Sequence, residues 1–184
     1  MKGIMFNLVE EVVTDRFGAD TWESLLHSAG LDGAYTSLGS YPDVDFFRLV
    51  GAAEQALKMS ADEVLRDLGE AALPLLAEQY QVFFAPFVSA RPFLLTLNDV
   101  IHPEVRKLYP GAEIPDFDFD TSDPEVLVIG YRSPRRLCAL AEGFIMGAAR
   151  HYQQDAEVAQ SACLKKGDPK CLIICRFKSS TPSS

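Results

Sequence analysis

Three groups of side chains in this sequence are of types and spacings that do chemistry. His102 stands one position off an apolar stripe, beside Ile101 and Val105, and only His27 and His151 compete with it for a ligand role. An isolated histidine there is ordinarily a boundary side chain, so its neighbourhood has to decide. Tyr131, Ser133 and Arg135 form the second group. Tyr131 and Ser133 are two apart on an extended run, which points them to one side. Ser133-Pro134 reads as a helix start, with serine as N-cap and proline at the first helical position. Arg135 then falls on the first turn, where backbone N–H groups are also free. Phenol, hydroxyl and guanidinium converging in this way suit a carboxylate. The plain alternative is an N-cap with solvated arginines, since Arg136 is adjacent. The third group is Cys138, Cys163, Cys171 and Cys175, all in the last third of the chain. In a reducing compartment such a cluster points to metal or redox chemistry more than to a disulfide framework. Cys163 and Cys171 are symmetric about Gly167 and can face each other across a hairpin. Cys175 lies four residues further along the same strand, roughly 13 Å from Cys171, too far to share one tetrahedral ion easily.

The elements that must position these groups are helical first and mixed later. Residues 1–17 carry an amphipathic stripe of Ile4, Met5, Leu8 and Val12 that Arg16 ends. A second helix opens at 20–23 and ends near Gly30. A third opens at Tyr41-Pro42-Asp43, with Phe46, Phe47, Val50, Ala53 and Leu57 expected on one face. Ser60 and Glu63 spell a capping box into Val64, Leu65, Leu68 and Leu76, with Gly69 and Pro74 expected to bend or interrupt that helix. Arg91-Pro92 predicts a helix with Leu94, Leu97, Ile101, Val105 and Leu108 as its stripe. Residues 115–120, PDFDFD, read as a polar aromatic loop, and Val126 to Tyr131 as a short strand. The Ser133-Pro134 helix carries Leu137, Leu140, Ala141, Phe144 and Ala148 on one face. A hairpin of 158–164 and 171–177 closes the chain, followed by a disordered tail over 178–184. The expected class is α+β, a helical N-terminal part and a C-terminal antiparallel sheet with one long helix.

Composition narrows the functions. With 184 residues, 48% hydrophobic and 23% charged, the chain has enough apolar mass for one domain around a sizeable ligand. A formal net charge of −9 argues against nucleic acid and against an anionic membrane surface. There is no signal-peptide pattern and no run near the roughly 18 apolar residues of a membrane span. A soluble, cytoplasmic protein is expected.

The start MKGIMFN, the run Ile101-His102-Pro103-Glu104-Val105, Pro115, and the block from Tyr131 to Cys138 resemble the haem nitric oxide/oxygen-binding (H-NOX) domains. These are relatives of the haem domain of soluble guanylate cyclase, and the likeness is greatest to stand-alone bacterial members. The resemblance covers nearly the whole chain. It implies a single haem domain over 1–177, with a distal helical part over 1–60, a proximal part with the sheet over 61–177, and haem b buried between. His102 would be the proximal iron ligand. Tyr131, Ser133 and Arg135 would hold the two haem propionates, and Pro115 would press on the haem. Oxygen-binding members place a distal tyrosine where this sequence has Leu140, with Phe144 one turn on, also apolar. Met5 and Val9 would complete a distal pocket without a donor, although Leu140 also reads as a plain core leucine. A bound O₂ gains superoxide-like charge and wants a donor, whereas NO bonds ferrous iron without one.

The family resemblance thus implies a sensor rather than an enzyme, with NO and CO as ligands and O₂ excluded. NO would weaken the bond from His102 and shift the helical part against the sheet. With no room for a signalling domain, the output would pass to a separate histidine kinase or a cyclic-di-GMP enzyme (diguanylate cyclase or phosphodiesterase). Some bacterial members hold a structural zinc by three cysteines and a histidine. Cys138, Cys163 and Cys171 match three of those positions, and Gln160 falls on the fourth, where it is a poor zinc ligand. Zinc and three reduced thiols both stand as readings. The second functional class is a thiol or zinc redox switch on the same cysteines. A haem peroxidase is disfavoured, because no distal histidine or arginine is evident on the Leu140 face.

Overall fold

The structure is a computed structural model that describes residues 1–179. Helix α1 (Gly3–Phe17) buries Phe6, Leu8, Val9, Val12 and Val13, and α2 (Ala19–Ala29) buries Trp22 and Leu25. Helix α3 (Asp43–Leu57) turns a different face inward than its spacing suggested. Phe46, Leu49, Val50 and Ala52 are buried, while Phe47 and Leu57 are exposed. Helix α4 (Ala61–Gln79) begins with the expected box: Ser60 Oγ accepts Glu63 N–H, and the Glu63 carboxylate accepts Ser60 N–H at 2.8 Å. The predicted interruption at Gly69 and Pro74 does not occur, and α4 runs through both. Gly69 lies against α8 (Cys138–His151), where a Cβ would sit 2.5 Å from the Leu140 carbonyl oxygen. Its bare backbone permits this close approach.

The single helix expected after Arg91 is three pieces. A short α5 (Gln81–Phe84) precedes α6 (Ala90–Leu95), a π-helical turn over Leu97–Ile101, and α7 (His102–Leu108). The Thr96 carbonyl accepts both Val100 N–H at 2.9 Å and Ile101 N–H at 3.1 Å, four and five residues on. The extra residue of a π turn rotates everything after it out of phase with a 3.6-residue repeat. The expected stripe therefore breaks: Leu94 is buried, Leu97, Ile101 and Val105 are half-buried, and Leu108 is exposed.

Residues 116–120, expected as loop, form strand β1 (Asp116–Asp120), paired with β2 (Leu127–Arg132). The D-F-D-F-D alternation is a strand's period of two. The hairpin is β3 (Gln154–Ala162) and β4 (Cys171–Ser179), both longer than predicted. The sheet is antiparallel in the order β1-β2-β4-β3. Lys178 and Ser179 belong to β4; the rest of the expected disordered tail, 180–184, lies outside the described residues.

Helix α8 packs on α4 and on β3. Two apolar clusters result. One joins α1, α2, α3, the first half of α4, and Leu140; the other joins the sheet, Phe84, Phe93 and the cysteines. Leu76 and Phe144 pack against both. The helical part and the sheet part meet at these residues.

Candidate functional site

The π turn delivers His102 as the first residue of α7, half-buried, into a cleft of about 220 Å³ with Asn98, Arg106, Ile114, Pro115, Asp116 and Phe117. Its ring stacks on Phe117 of β1 at 5.5 Å between centroids, 24° from parallel. Asn98 steadies this strand by donating to the Phe117 carbonyl at 2.8 Å. Phe117 in turn lies 5.7 Å from Tyr131 across the β1–β2 pair. Burial, and then the Arg106 charge, lower the His102 pKa to about 4, against a smaller opposing effect of Asp116. The imidazole is neutral at physiological pH and a competent nitrogen donor. His27 and His151 are both exposed.

Tyr131 is buried at the end of β2, and burial pushes its phenol pKa up. The segment after it differs from expectation. Ser133 does not cap a helix, because Arg136 adopts a left-handed conformation (φ 52°) and α8 begins only at Cys138. Ser133 Oγ instead accepts Arg135 N–H at 3.2 Å, closing a tight turn. The Tyr131 hydroxyl accepts Leu137 N–H at 3.1 Å, next to the start of α8. Tyr131, Ser133 and Arg135 are nevertheless the inward residues of this stretch, with Arg132, Pro134 and Arg136 exposed.

The Arg135 guanidinium is mostly buried and already handles carboxylates. Its Nε donates to Asp43 Oδ2 at 2.7 Å, and its terminal nitrogens reach the Glu113 carbonyl at 2.8 Å and carboxylate at 2.9 Å. Asp43 also takes the Met1 ammonium at 2.5 Å. Burial alone would raise the Asp43 pKa; the hydrogen bonds from Arg135 and from the Met1 ammonium outweigh it and hold the carboxyl below its ordinary value. Neither Asp43 nor Glu113 was legible as a partner, being 92 and 22 residues away.

Met5, Leu140 and Phe144 belong to the first apolar cluster, Leu140 buried and the other two partly so, with Val9 buried beside them. The Tyr80 hydroxyl is hydrogen-bonded to that of Tyr109. Burial, then this bond, push the Tyr109 pKa up.

Cys138, Cys163 and Cys171 are buried with their sulfur atoms all within 4.8 Å of one another. Cys138 Sγ and Cys163 Sγ are 3.9 Å apart, and Leu164 N–H donates to Cys171 Sγ at 3.3 Å. Cys175 is buried outside this group. Burial pushes the Cys171 and Cys175 thiols up to about 12, so both are protonated at neutral pH. Gln160 pairs with Ile173 in the β3–β4 register, and its Nε2 is buried without a partner among the described residues.

The neutral imidazole of His102 and the inward guanidinium of Arg135 are donors suited to a bound cofactor, and similarity to known proteins specifies the family. A family profile described as Haem-NO-binding matches residues 2–160. The chain belongs to this haem-NO-binding family of gas-sensor domains, the H-NOX proteins. It is similar to an H-NOX protein from S. oneidensis solved in the Fe(II)NO state, at 31% identity and TM-score 0.90, covering 97% of this chain and 99% of that one. An NMR structure of an H-NOX domain from Shewanella oneidensis in the Fe(II)CO state matches at 32% identity and TM-score 0.87, covering 97% and 99%. The unliganded Fe(II) H-NOX protein from K. algicida matches at 25% identity and TM-score 0.86 over the whole of both chains. Among the described residues no helix is long and apolar enough to cross a membrane. The family's haem fits the donors present, which are one neutral half-buried imidazole and one mostly buried guanidinium whose present partners are carboxylates.

Proposed function

We propose that this chain is a haem-based nitric oxide sensor that holds haem b through His102, excludes O₂, and signals to a separate protein. The observation that carries the reading is His102 itself, a neutral imidazole in a cleft with Pro115 and Phe117. Ferrous haem, when bound, supplies the iron on which a diatomic gas is held. His102 would hold that iron through its ring nitrogen. Tyr131, Ser133 and Arg135 would hold the propionate carboxylates, with Arg135 as the charged partner, and Pro115 would press on the haem. Met5, Leu140 and Phe144 keep water out and offer no hydrogen bond, which favours NO and CO over O₂. The His102 bond is the protein's sensing element. Were His102 released, α7 would be free to move, and a two-state shift of the helical part against the sheet part would be the output. The partner is a histidine kinase or a cyclic-di-GMP enzyme, and the chain itself is not an enzyme. Absorption spectra of the ferrous protein with NO, CO and air test the reading. NO and CO complexes and no oxy complex are expected. His102→Gly should lose haem unless imidazole is supplied; normal spectra without imidazole would move the ligand to His27 or His151.

The three converging sulfurs favour a second reading, a zinc-held thiol switch. Three buried sulfurs within 4.8 Å suit one ion, and the thiolate rather than the thiol is the metal ligand and nucleophile. Gln160 is the weak point, since a thiolate or imidazole is the usual fourth donor. Titration with zinc against a chromophoric chelator, followed by thiol counting under oxidant, tests it. Absence of stoichiometric zinc at neutral pH leaves three structural thiols.

A further inference from the structure

Helix α7 has a compliant joint at one end and a part-buried hydrogen bond at the other. No residue from His102 to Leu108 is fully buried, so packing alone holds it weakly. At its N-terminal end the Thr96 carbonyl is shared by the Val100 and Ile101 amides. Two acceptable partners one residue apart let that turn adjust its winding at little cost. At its C-terminal end Tyr109 N–H donates to the Val105 carbonyl at 2.8 Å, and the Tyr109 ring is buried. The Tyr109 hydroxyl meets that of Tyr80, which caps α4 with its N–H on the Leu76 carbonyl at 2.8 Å.

His102 opens α7 and Tyr109 caps its far end, seven residues on, where the backbone has already left the helical conformation (φ −125°, ψ 76°). Helix α4, in turn, is locked to α8. A Cβ on Gly69 would lie 2.5 Å from the Leu140 oxygen, and one on Gly143 would lie 2.1 Å from the Arg66 oxygen. The α4–α8 pair, which carries Leu140 and Phe144, is thus linked to the end of the His102 helix by the Tyr80–Tyr109 contact.

We propose that Tyr80 and Tyr109 are positioning residues for His102: their hydrogen bond fixes the end of α7 to the α4–α8 pair and makes Tyr109 the pivot about which His102 moves. This rests on the reading of His102 as the iron ligand. Tyr80 is the sharper position to change, because it belongs to another helix and acts on α7 only through Tyr109.

The test uses the full chain carrying Tyr80→Phe, Tyr109→Phe, or both. In the haem-free protein, amides of residues 106–109 should exchange roughly two- to tenfold faster in all three variants, the loss of one net hydrogen bond. Amides of α8 should be unchanged. In the haem-loaded ferrous protein, the iron–histidine stretching band should shift in each variant, and the double variant should shift no further than a single one. Faster exchange with an unmoved band leaves the pair structural and overturns the proposal, as does wild-type exchange with a wild-type band. If His102→Gly keeps its haem and spectrum, the sensor reading fails, while exchange in the haem-free chain still judges the bond.

Discussion

On the proposed reading, Leu140 would set ligand preference by what its side chain lacks. It is buried in the cluster that holds Met5 and Phe144, all carbon and sulfur at their tips. A neutral hydrogen bond is worth about 0.5–1.5 kcal/mol net in water, and more in a dry pocket. Losing about 2–3 kcal/mol would weaken oxygen binding by a factor of roughly 30 to 150. Leu140→Tyr is therefore expected to raise oxygen affinity, read as an oxy spectrum in air that the parent lacks. The larger ring must fit beside Phe144 in a close-packed cluster, and overpacking of that kind costs about 1–3 kcal/mol of stability. A variant that folds, binds NO and still gives no oxy spectrum would show that the tyrosine hydroxyl does not reach the gas. Arg135 makes the complementary case, since a fork that binds Asp43 and Glu113 has the chemistry a propionate needs.

Among the elements, the α4–α8 crossing is where the backbone is least forgiving. A methyl on Gly143 would meet the Arg66 carbonyl oxygen at 2.1 Å and its Cα at 3.0 Å, both backbone atoms that cannot swing away. Gly143→Ala should destabilise the fold by about 1–3 kcal/mol or more, measured by urea unfolding of the haem-free protein. A change below about 0.5 kcal/mol would mean that the helices separate freely, contrary to this geometry. The same crossing explains what sequence could and could not announce. The capping box at Ser60 and Glu63, the ends of α1 and α2, and the final hairpin follow from local chemistry and were legible. Gly69 and Pro74 looked like breakers because local propensity cannot see that α8 lies against Gly69. The π turn before His102 broke the 3.6-residue stripe, so Leu108 was placed inward and is exposed. Strand β1 was missed although its alternation was in view, because five polar-aromatic residues form a strand only when β2 supplies a partner. At the site, the shared orientation of Tyr131, Ser133 and Arg135 could be read from spacing, whereas the role expected of His102 came from the family resemblance. The partners Asp43 and Glu113, and the Tyr80–Tyr109 contact, could not, because they are set by tertiary packing.

Over the whole molecule, the helical and sheet parts are tied by a charge chain from the Met1 ammonium through Asp43 to Arg135 and on to Glu113. A second ionic cluster, Asp118 with Lys170 and Arg132, braces the β1 side of the sheet. The Lys170 hydrogen bond is the main reason the Asp118 carboxyl is held below its ordinary value. For a carboxyl depressed in the folded state, the unfolded chain takes up the proton first as pH falls. Its contribution is complete above the unfolded value of about 4 and is lost as pH drops through the lower folded value. Asp43 is the more informative of the two, because it joins α3 and the chain start to the Arg135 turn rather than neighbouring strands. Asp43→Asn should lower stability at neutral pH and leave less to lose on acidification. The measurement is the urea midpoint of the haem-free protein from pH 7 down to about 3. Both proteins should lose stability below pH 4 through Asp118 and other carboxylates, and the two curves should converge as Asp43 protonates. Parallel curves over the whole range would show that Asp43 carries no proton-linked stability and that the tie between the two parts is not electrostatic.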